Sequence, residues 1–355
     1  MDKKKVLIDL GDLGDVHCGF GQIAFNYGKL FSALDLDDIE FVFLVPKKYK
    51  GYYGDGVKYV VKKKIYKYFP FLLPKVDVWH SVHQRCKTLR LAKETKYVFT
   101  IHDLNFLYEK SPFKIKKYIR MVQRGINRAD VVTTISGFTA DEVRNNLNLN
   151  GKSIKVVYNG VERIDEMKDT QPAFMKNPER PFFFTIGQIR RKKNFHVLLD
   201  VMKDFPDHDL YIAGESHRRY AIEIAERIEK ENITNVFLSG ICLQEEKVWL
   251  YRNCRAFLFP SLFEGFGLPA IEAMRFGKPV FAAASTSLPE ICAGHACMWD
   301  NFEPEYLIKS IRQFLNQFDA DPQKAEKEIE YAHSFDYRKH IDAYVSIYRS
   351  LIHSA

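Results

Sequence analysis

Between residues 256 and 284 the chain reads apolar strand, glycine-containing turn, helix, apolar strand: AFLFP, SLFEGFG, LPAIEAMRFG and, after Lys278, PVFAAA. Such a βαβ unit strongly constrains the fold, because parallel strands need both faces covered and leave ligands beyond their carboxyl ends. Pro269 suits the first helical position, where its missing amide proton has no partner to lose, and Gly277 suits the helix end. The amides of Phe266, Gly267 and Leu268 then point out of the helix start, where the dipole and unpaired N–H groups favour an anion. Glu264 and Glu272 flank that seat. On spacing alone they suit a solvated loop acid and an ordinary first-turn acid as well as a site. Acids also grip hydroxyl groups by accepting hydrogen bonds, and a ligand with both phosphates and hydroxyls, such as a nucleotide sugar, matches the whole constellation.

Two series of such units are legible. In the first, VLIDL (6–10), FVFLV (41–45), VDVW (76–79), YVFTI (97–101), VVTTI (131–135) and IKVVY (154–158) are strand candidates separated mostly by helical patterns. A polar stretch at 162–181 follows, and then FFFTIG, DLYIAG, NVFLSG, RAFLFP, PVFAAA and ACMW recur at similar intervals. Gly187, Gly214 and Gly240 end three of them, where a turn needs a permissive backbone. The alternation predicts an α/β fold of two doubly wound parallel-sheet domains facing a central cleft, covering 1–165 and 178–334. The segment 335–355, with Tyr337, Ile341, Tyr344, Ile347, Tyr348 and Leu351 at helical spacing, is expected to pack back on the first domain.

Charge divides unevenly. Residues 1–165 hold 29 Lys and Arg against 18 Asp and Glu, a net of +11, and the remainder hold 24 against 27, a net of −3. Much of the excess lies between Pro46 and Lys75, with nine lysines, one aspartate and eight Tyr or Phe. This is either a solvated basic loop or a surface that docks on anionic lipid through Lys47–Lys75. KIKKYIRMVQRGINR (114–128) extends the basic character. No nucleic-acid motif accompanies it, so no nucleic-acid partner is expected. No apolar run reaches the length of a spanning helix and MDKKKVLIDL is not a signal peptide, which places the chain in the cytoplasm, peripheral at most to the inner face of the plasma membrane. Cysteines at 18, 86, 242, 254, 292 and 297 form no CxxC pair, and Cys292, His295 and Cys297 lack a fourth ligand at a usual spacing, so no metal site is expected.

The run PSLFEGFGLPAIEAMRFGKPVFAA, followed by LPEICAG, resembles the donor half of the retaining glycosyltransferases of GT-B fold and GT4 type, the glycosyl transferases group 1 family. The resemblance implies that Glu264 lies near the transferred sugar and that Glu272 accepts hydrogen bonds from the ribose hydroxyls. Phe266, Gly267 and Leu268 would offer amides to sugar or phosphate oxygens. FTIGQIRRKKNFHVLL resembles the family's basic loop, with Lys193 at the position of its diphosphate lysine. Many members place an arginine directly after the glycine, whereas this chain has Gln188; Arg190 or Arg191 would then supply that charge.

In the first domain, Gly19 and Gly21 resemble a glycine loop between strand and helix that lines the family's cleft. The His102–Asp103 pair resembles one whose histidine reaches the donor sugar, although a histidine directly after a strand also serves structural purposes. His80 and His83, at another strand end, are candidates for the acceptor side of the cleft. Ser136, Asn159 and Gly160 match signposts on the hinge side. The resemblance implies transfer of a hexose from a GDP- or UDP-sugar, with retention, to a hydroxyl of a glycan or lipid-linked acceptor in bacterial surface-polysaccharide synthesis (lipopolysaccharide, O-antigen or capsule), with no cofactor and no metal. The alternatives are a nucleotide-sugar epimerase of the same fold and a catalytically silent scaffold subunit.

Overall fold

The first sheet is formed by β1 (Lys4–Asp9), β2 (Ile39–Val45), β3 (Lys58–Val61), β4 (Val78–Ser81), β5 (Lys96–Ile101), β6 (Val131–Thr134) and β7 (Ile154–Val156). All are parallel, in the order β3-β2-β1-β4-β5-β6-β7. The second contains β8 (Phe182–Ile186), β9 (Asp209–Ala213), β10 (Val236–Gly240), β11 (Ala256–Phe259), β12 (Val280–Ala283) and β13 (Cys297–Trp299). It is parallel too, in the order β10-β9-β8-β11-β12-β13. These features come from a computed structural model that describes residues 3–11, 13, 19–85 and 92–353. Cys18 and Cys86 lie outside the described residues.

Strand order reverses between β1 and β4 and again between β8 and β11, and the crevice beyond the carboxyl ends at such a reversal is where open α/β sheets bind ligands. The apolar runs that made the strands legible are buried on both faces. On β1, Val6 and Ile8 join an apolar layer with Phe31, Phe43 and Tyr344, while Leu7 joins another with Trp79, Phe99 and Ile126. In the second sheet Phe183, Leu210, Ile212 and Leu258 build one layer. Phe182, on the opposite side, stacks on Trp249 at 5.9 Å.

The chain divides into two units, Met1–Gly160 with Tyr337–Ala355, and Val161–Asp336. The helix Tyr337–His353 buries Ile341, Tyr344, Ile347 and Tyr348 in the first unit's core. The division falls at Gly160 and not at residue 165, because the segment after it is bound into the second unit. The Val161 amide donates to the Phe335 carbonyl at 2.9 Å, the buried Arg275 donates to the Val161 carbonyl at 3.1 Å, and Arg163 pairs with Asp336 at 2.6 Å. Residues 162–181, polar as a linker would be, pack on that unit as well: Ile164 and Met175 are buried and Asp169 pairs with Arg252. Part of the basic stretch is also structured, since Lys58–Val61 adds edge strand β3 to the first sheet and Lys58 pairs with Glu40 at 2.9 Å. Lysines on such an edge discourage a further strand from pairing.

Candidate active site

At the reversal point of the second sheet the loop after β8 meets the loop after β11. The Leu262 amide donates to the Lys192 carbonyl at 2.7 Å, fixing one loop on the other. Gly187 ends β8 at φ +152°, and a Cβ there would lie 3.0 Å from Lys193 Cε. The chain then makes a tight turn over Arg191–Lys193 that Asn194 closes in a left-handed conformation, φ +57°. This turn directs the Lys193 side chain over the Phe259 ring, 4.8 Å from its centroid, and onto Glu264.

Lys193 Nζ donates to Glu264 Oε1 at 2.5 Å, and the Ser261 hydroxyl donates to the same oxygen at 2.6 Å. The two side chains are only 11% and 14% exposed. Burial acts to raise the Glu264 pKa, but the charges of Lys193 and Lys192 and the two hydrogen bonds outweigh it and hold the carboxyl below its usual value. For Lys193 burial prevails over the Glu264 charge, and its pKa is lowered. The result is a desolvated, hydrogen-bonded ion pair at the reversal point of the second sheet, assembled from residues 71 apart in sequence.

Backbone bonds hold the rest of the turn. The Glu264 amide donates to Thr286 Oγ1 at 3.0 Å, and Ser287 Oγ donates to the carbonyls of Glu264 and Phe266 at 3.1 and 3.0 Å. Phe266 is buried, with its ring against Phe335. Gly267, at φ +110°, turns the chain so that Leu268 opens the helix Leu268–Met274 with Pro269 in its first turn. Glu272 sits within that helix, partly exposed, with its oxygens toward Lys247 Nζ (3.1 Å) and the Tyr251 hydroxyl (2.9 Å). A carboxylate has about four lone-pair sites, which leaves room for further hydroxyl donors.

Arg191 does not converge on Glu264. Arg191 reaches the helix Arg219–Lys230, where it pairs with Glu223 at 2.6 Å and lies over the Tyr220 ring at 5.6 Å. Arg190 is half-buried at the start of the tight turn.

In the first unit the ends of β4 and β5 are tied by Gln84. Its Oε1 accepts from the His102 amide at 3.1 Å and its Nε2 donates to the Asp103 carbonyl at 2.9 Å. His102 is buried, and its Nε2 donates to the Val82 carbonyl at 2.6 Å, which fixes the tautomer. Burial pushes its pKa down to about 3, although the Val82 bond pulls the other way, so the ring is neutral. Thr139 Oγ1 donates to the His102 carbonyl and bonds Ser136, whose hydroxyl caps the helix Gly137–Asn146. Asp103 Oδ1 accepts the Asn105 amide at 3.0 Å. His83 is buried, with its Nδ1 accepting the Arg85 amide.

Two assignments on this unit are corrected. His80 is fully buried, its Nδ1 bonded to the Tyr348 hydroxyl at 2.6 Å and its Nε2 to Thr100 Oγ1 at 2.8 Å, so it is a core residue that no acceptor reaches. Gly19 and Gly21 belong to the first turn of the helix Gly19–Ser32 and not to a loop before it; residues 14–18 lie outside the described residues. Asn159 is buried beside Gly160, where a Cβ would collide with Tyr337.

The sequence reading missed Ser261, Lys247, Tyr251 and Gln84. Lys247 and Tyr251 carried a signal, since residues four apart share one face of the helix Gln244–Asn253. Among the described residues no group of three or more His, Cys, Asp or Glu is placed to hold a metal ion; Cys292 is buried and His295 stacks on Tyr331 at 4.0 Å.

Residues 166–335 match the family described as glycosyl transferases group 1, and residues 32–163 match glycosyltransferase family 4. An uncharacterized 41.2 kDa protein in the cps region of Klebsiella pneumoniae is 27% identical over 267 residues, 73% of this chain and 72% of its own length. The O-antigen chain mannosyltransferase RfbU of Salmonella typhimurium is 28% identical over 189 residues, 52% of this chain and 51% of its own length. Among solved structures, Anabaena Alr3699/HepE in complex with UDP-glucose superposes with a TM-score of 0.75 at 17% identity, covering 96% of this chain and 99% of that one. With its two parallel sheets and an ion pair at the reversal point of the second, the chain belongs to the glycosyl transferases group 1 family, GT4 type, and has the GT-B fold.

Proposed function

We propose that this protein is a retaining hexosyltransferase that moves a sugar from a nucleotide-diphosphate donor to a hydroxyl of a glycan or lipid-linked acceptor in bacterial surface-polysaccharide synthesis. The observation that carries the reading is the Lys193–Glu264 pair at the β8/β11 reversal, with Glu272 one helix turn beyond the glycine turn. A diphosphate entering the crevice takes Lys193 as its counter-charge, and Glu264 is released to accept hydrogen bonds from the sugar and to favour the positive charge that grows on the ring as its bond to phosphate breaks. Gly267 and its neighbours offer amides to the phosphates, and Glu272 accepts from the ribose. A neutral His102, donating from Nε2 to Val82, serves the donor sugar by position and not by carrying charge. The acceptor hydroxyl attacks from the face the phosphate leaves, and the leaving phosphate takes the proton. Cationic side chains do the charge neutralisation, and the reaction needs no metal.

The Salmonella relative's name makes a mannosyl donor the first to test, and the UDP-glucose bound by the Anabaena structure makes UDP-glucose the second. A thermal-shift panel of GDP, UDP and ADP with their sugars decides the donor, since a ligand at a hundred times its dissociation constant adds about 2.7 kcal/mol to the folded state. No shift with any of them refutes the donor site.

The first unit is proposed to rest on anionic lipid at the cytoplasmic face of the plasma membrane. Among the described residues no helix is long and apolar enough to cross a membrane. Ile65, Tyr68, Phe69, Phe71 and Leu72 are exposed, Phe71 to 77%, among Lys63, Lys64 and Lys75, which pairs interfacial rings with headgroup cations. Vesicle flotation with and without anionic lipid tests this, and charge reversal at Lys62, Lys63 and Lys64 is expected to weaken binding.

A further inference from the structure

The loops after β8 and β9, neighbours in the second sheet, enclose with the start of the helix Arg219–Lys230 an open recess of about 430 Å³. Its walls include Arg190, Arg191, Arg218, Arg219, Tyr220 and Glu223, and neither Lys193 nor Glu264 lines it. Four guanidinium groups thus meet one carboxylate. Glu223 is shared, its Oε2 accepting from Arg191 at 2.6 Å and its Oε1 from Arg219 at 3.2 Å, and Arg218 is held by Glu215 at 2.9 Å. The recess is thus lined by more guanidinium groups than carboxylates.

This concentration of cations runs against local preference. The helix starts on Arg219 with Arg218 as its cap, has no acid in its first turn and has no side-chain cap, although the positive end of a helix disfavours cations. The helix Gln244–Asn253 of the same unit shows the ordinary solution, with Glu245 and Glu246 in its first turn and Glu246 accepting the Leu243 amide at 2.7 Å. Departures of this kind concentrate where a ligand supplies the missing partner. The recess also has a firm wall, because the Tyr220 hydroxyl bonds both the amide and Nδ1 of His196 at 3.0 and 2.9 Å while Arg191 lies across its ring.

We propose that this recess is a second anion-binding site, distinct from the Lys193 crevice, for a sugar unit bearing an oxyanion. Guanidinium forks match phosphate and carboxylate oxygens in pairs, and the volume lies in the range of small-molecule sites. A phosphorylated sugar and a uronic acid offer the same chemistry. The site stands independently of the donor reading.

The test measures binding of glucose 6-phosphate, glucuronate and neutral glucose to the full chain by calorimetry at low ionic strength, with and without UDP or GDP. Either anionic sugar is expected to bind while glucose does not, and which of the two binds identifies the source of the oxyanion. The Arg218→Gln/Arg219→Gln variant should weaken that binding at least tenfold, with Lys193→Met/Glu264→Leu changing it less than twofold. These arginine side chains are 41% and 94% exposed, so the variant folds. Absence of binding by both anionic sugars, equal binding by the Arg218→Gln/Arg219→Gln variant, or loss on Lys193→Met/Glu264→Leu overturns the proposal. Nucleotide binding that fails while the anionic sugars bind counts against the donor reading alone.

Discussion

The Lys193–Glu264 pair makes a prediction that separates folding from catalysis. At 2.5 Å and an effective dielectric near 20, the gross attraction is about 6–7 kcal/mol. Most of it offsets the desolvation of two side chains that are nearly buried, so the net worth of the pair is small. Breaking it is another matter, since Glu264→Gln leaves a buried cation without its counter-charge, at a cost of about 3–5 kcal/mol. In a unit of this size each kcal/mol moves the melting point by roughly 2–4 °C, so the second unit should melt about 6–20 °C lower. Replacing both partners by apolar residues, as in Lys193→Met/Glu264→Leu, removes the uncompensated charge and should return stability to within about 1.5 kcal/mol of the parent. Differential scanning calorimetry on the parent, both single variants and the double variant completes the cycle, and a transfer assay on the same samples gives the functional arm. The double variant should be well folded and inactive. If it is destabilised by the sum of the two single changes, the pair is not a coupled buried unit and the charge argument fails.

Glu328, 4% exposed, has its pKa pushed up to about 9 from the ordinary 4.5 by burial. The fold therefore favours its protonated form, and the stability present below pH 4.5 is lost by about 1.4 kcal/mol per pH unit up to pH 9. At pH 7.5 the loss is about 4 kcal/mol, so Glu328→Gln should raise the melting point there and much less at pH 5; a difference independent of pH refutes the burial argument. Gly267 holds φ +110°, so Gly267→Ala should cost about 1–3 kcal/mol in urea unfolding. Its added Cβ would also lie 2.5 Å from Leu288 Cδ2, yet Leu288→Ala should not rescue it, because the strain is in the backbone. With a pKa near 3, His102 should show a flat imidazole NMR titration from about pH 5 to 9, and an inflection near neutrality assigned to it would refute the buried neutral ring.

What the sequence revealed and what it hid follow from how local each signal is. Parallel strands buried on both faces are continuous apolar runs, so eleven residues such as AFLFPSLFEGF carry strand and turn together, and the glycines at 187 and 267 mark left-handed or strained turns that few other residues tolerate. Edge strand β3 escaped because KYVV lies among lysines whose charge suits a sheet edge as well as a loop. His80 and His102 looked alike as histidines at strand ends, one on β4 and one just after β5. Their place relative to the strand end separates their surroundings: His80 is still within its strand, in register with Val98, where Tyr348 and Thr100 take both ring nitrogens, whereas His102 lies beyond β5 among the turns fastened by Gln84. No sequence pattern records that difference, because the Tyr348 that fixes His80 arrives from a helix 268 residues away. The direction of Arg191 is hidden for the same reason. Its charge and its place beside Lys193 are local facts, but its direction is set by Glu223 on another helix, which turns the guanidinium from the Glu264 crevice to the arginine-lined recess. The two proposals thus place anion sites on either side of one basic loop, and the partner carboxylates, Glu264 for Lys193 and Glu223 for Arg191, distinguish the two side chains.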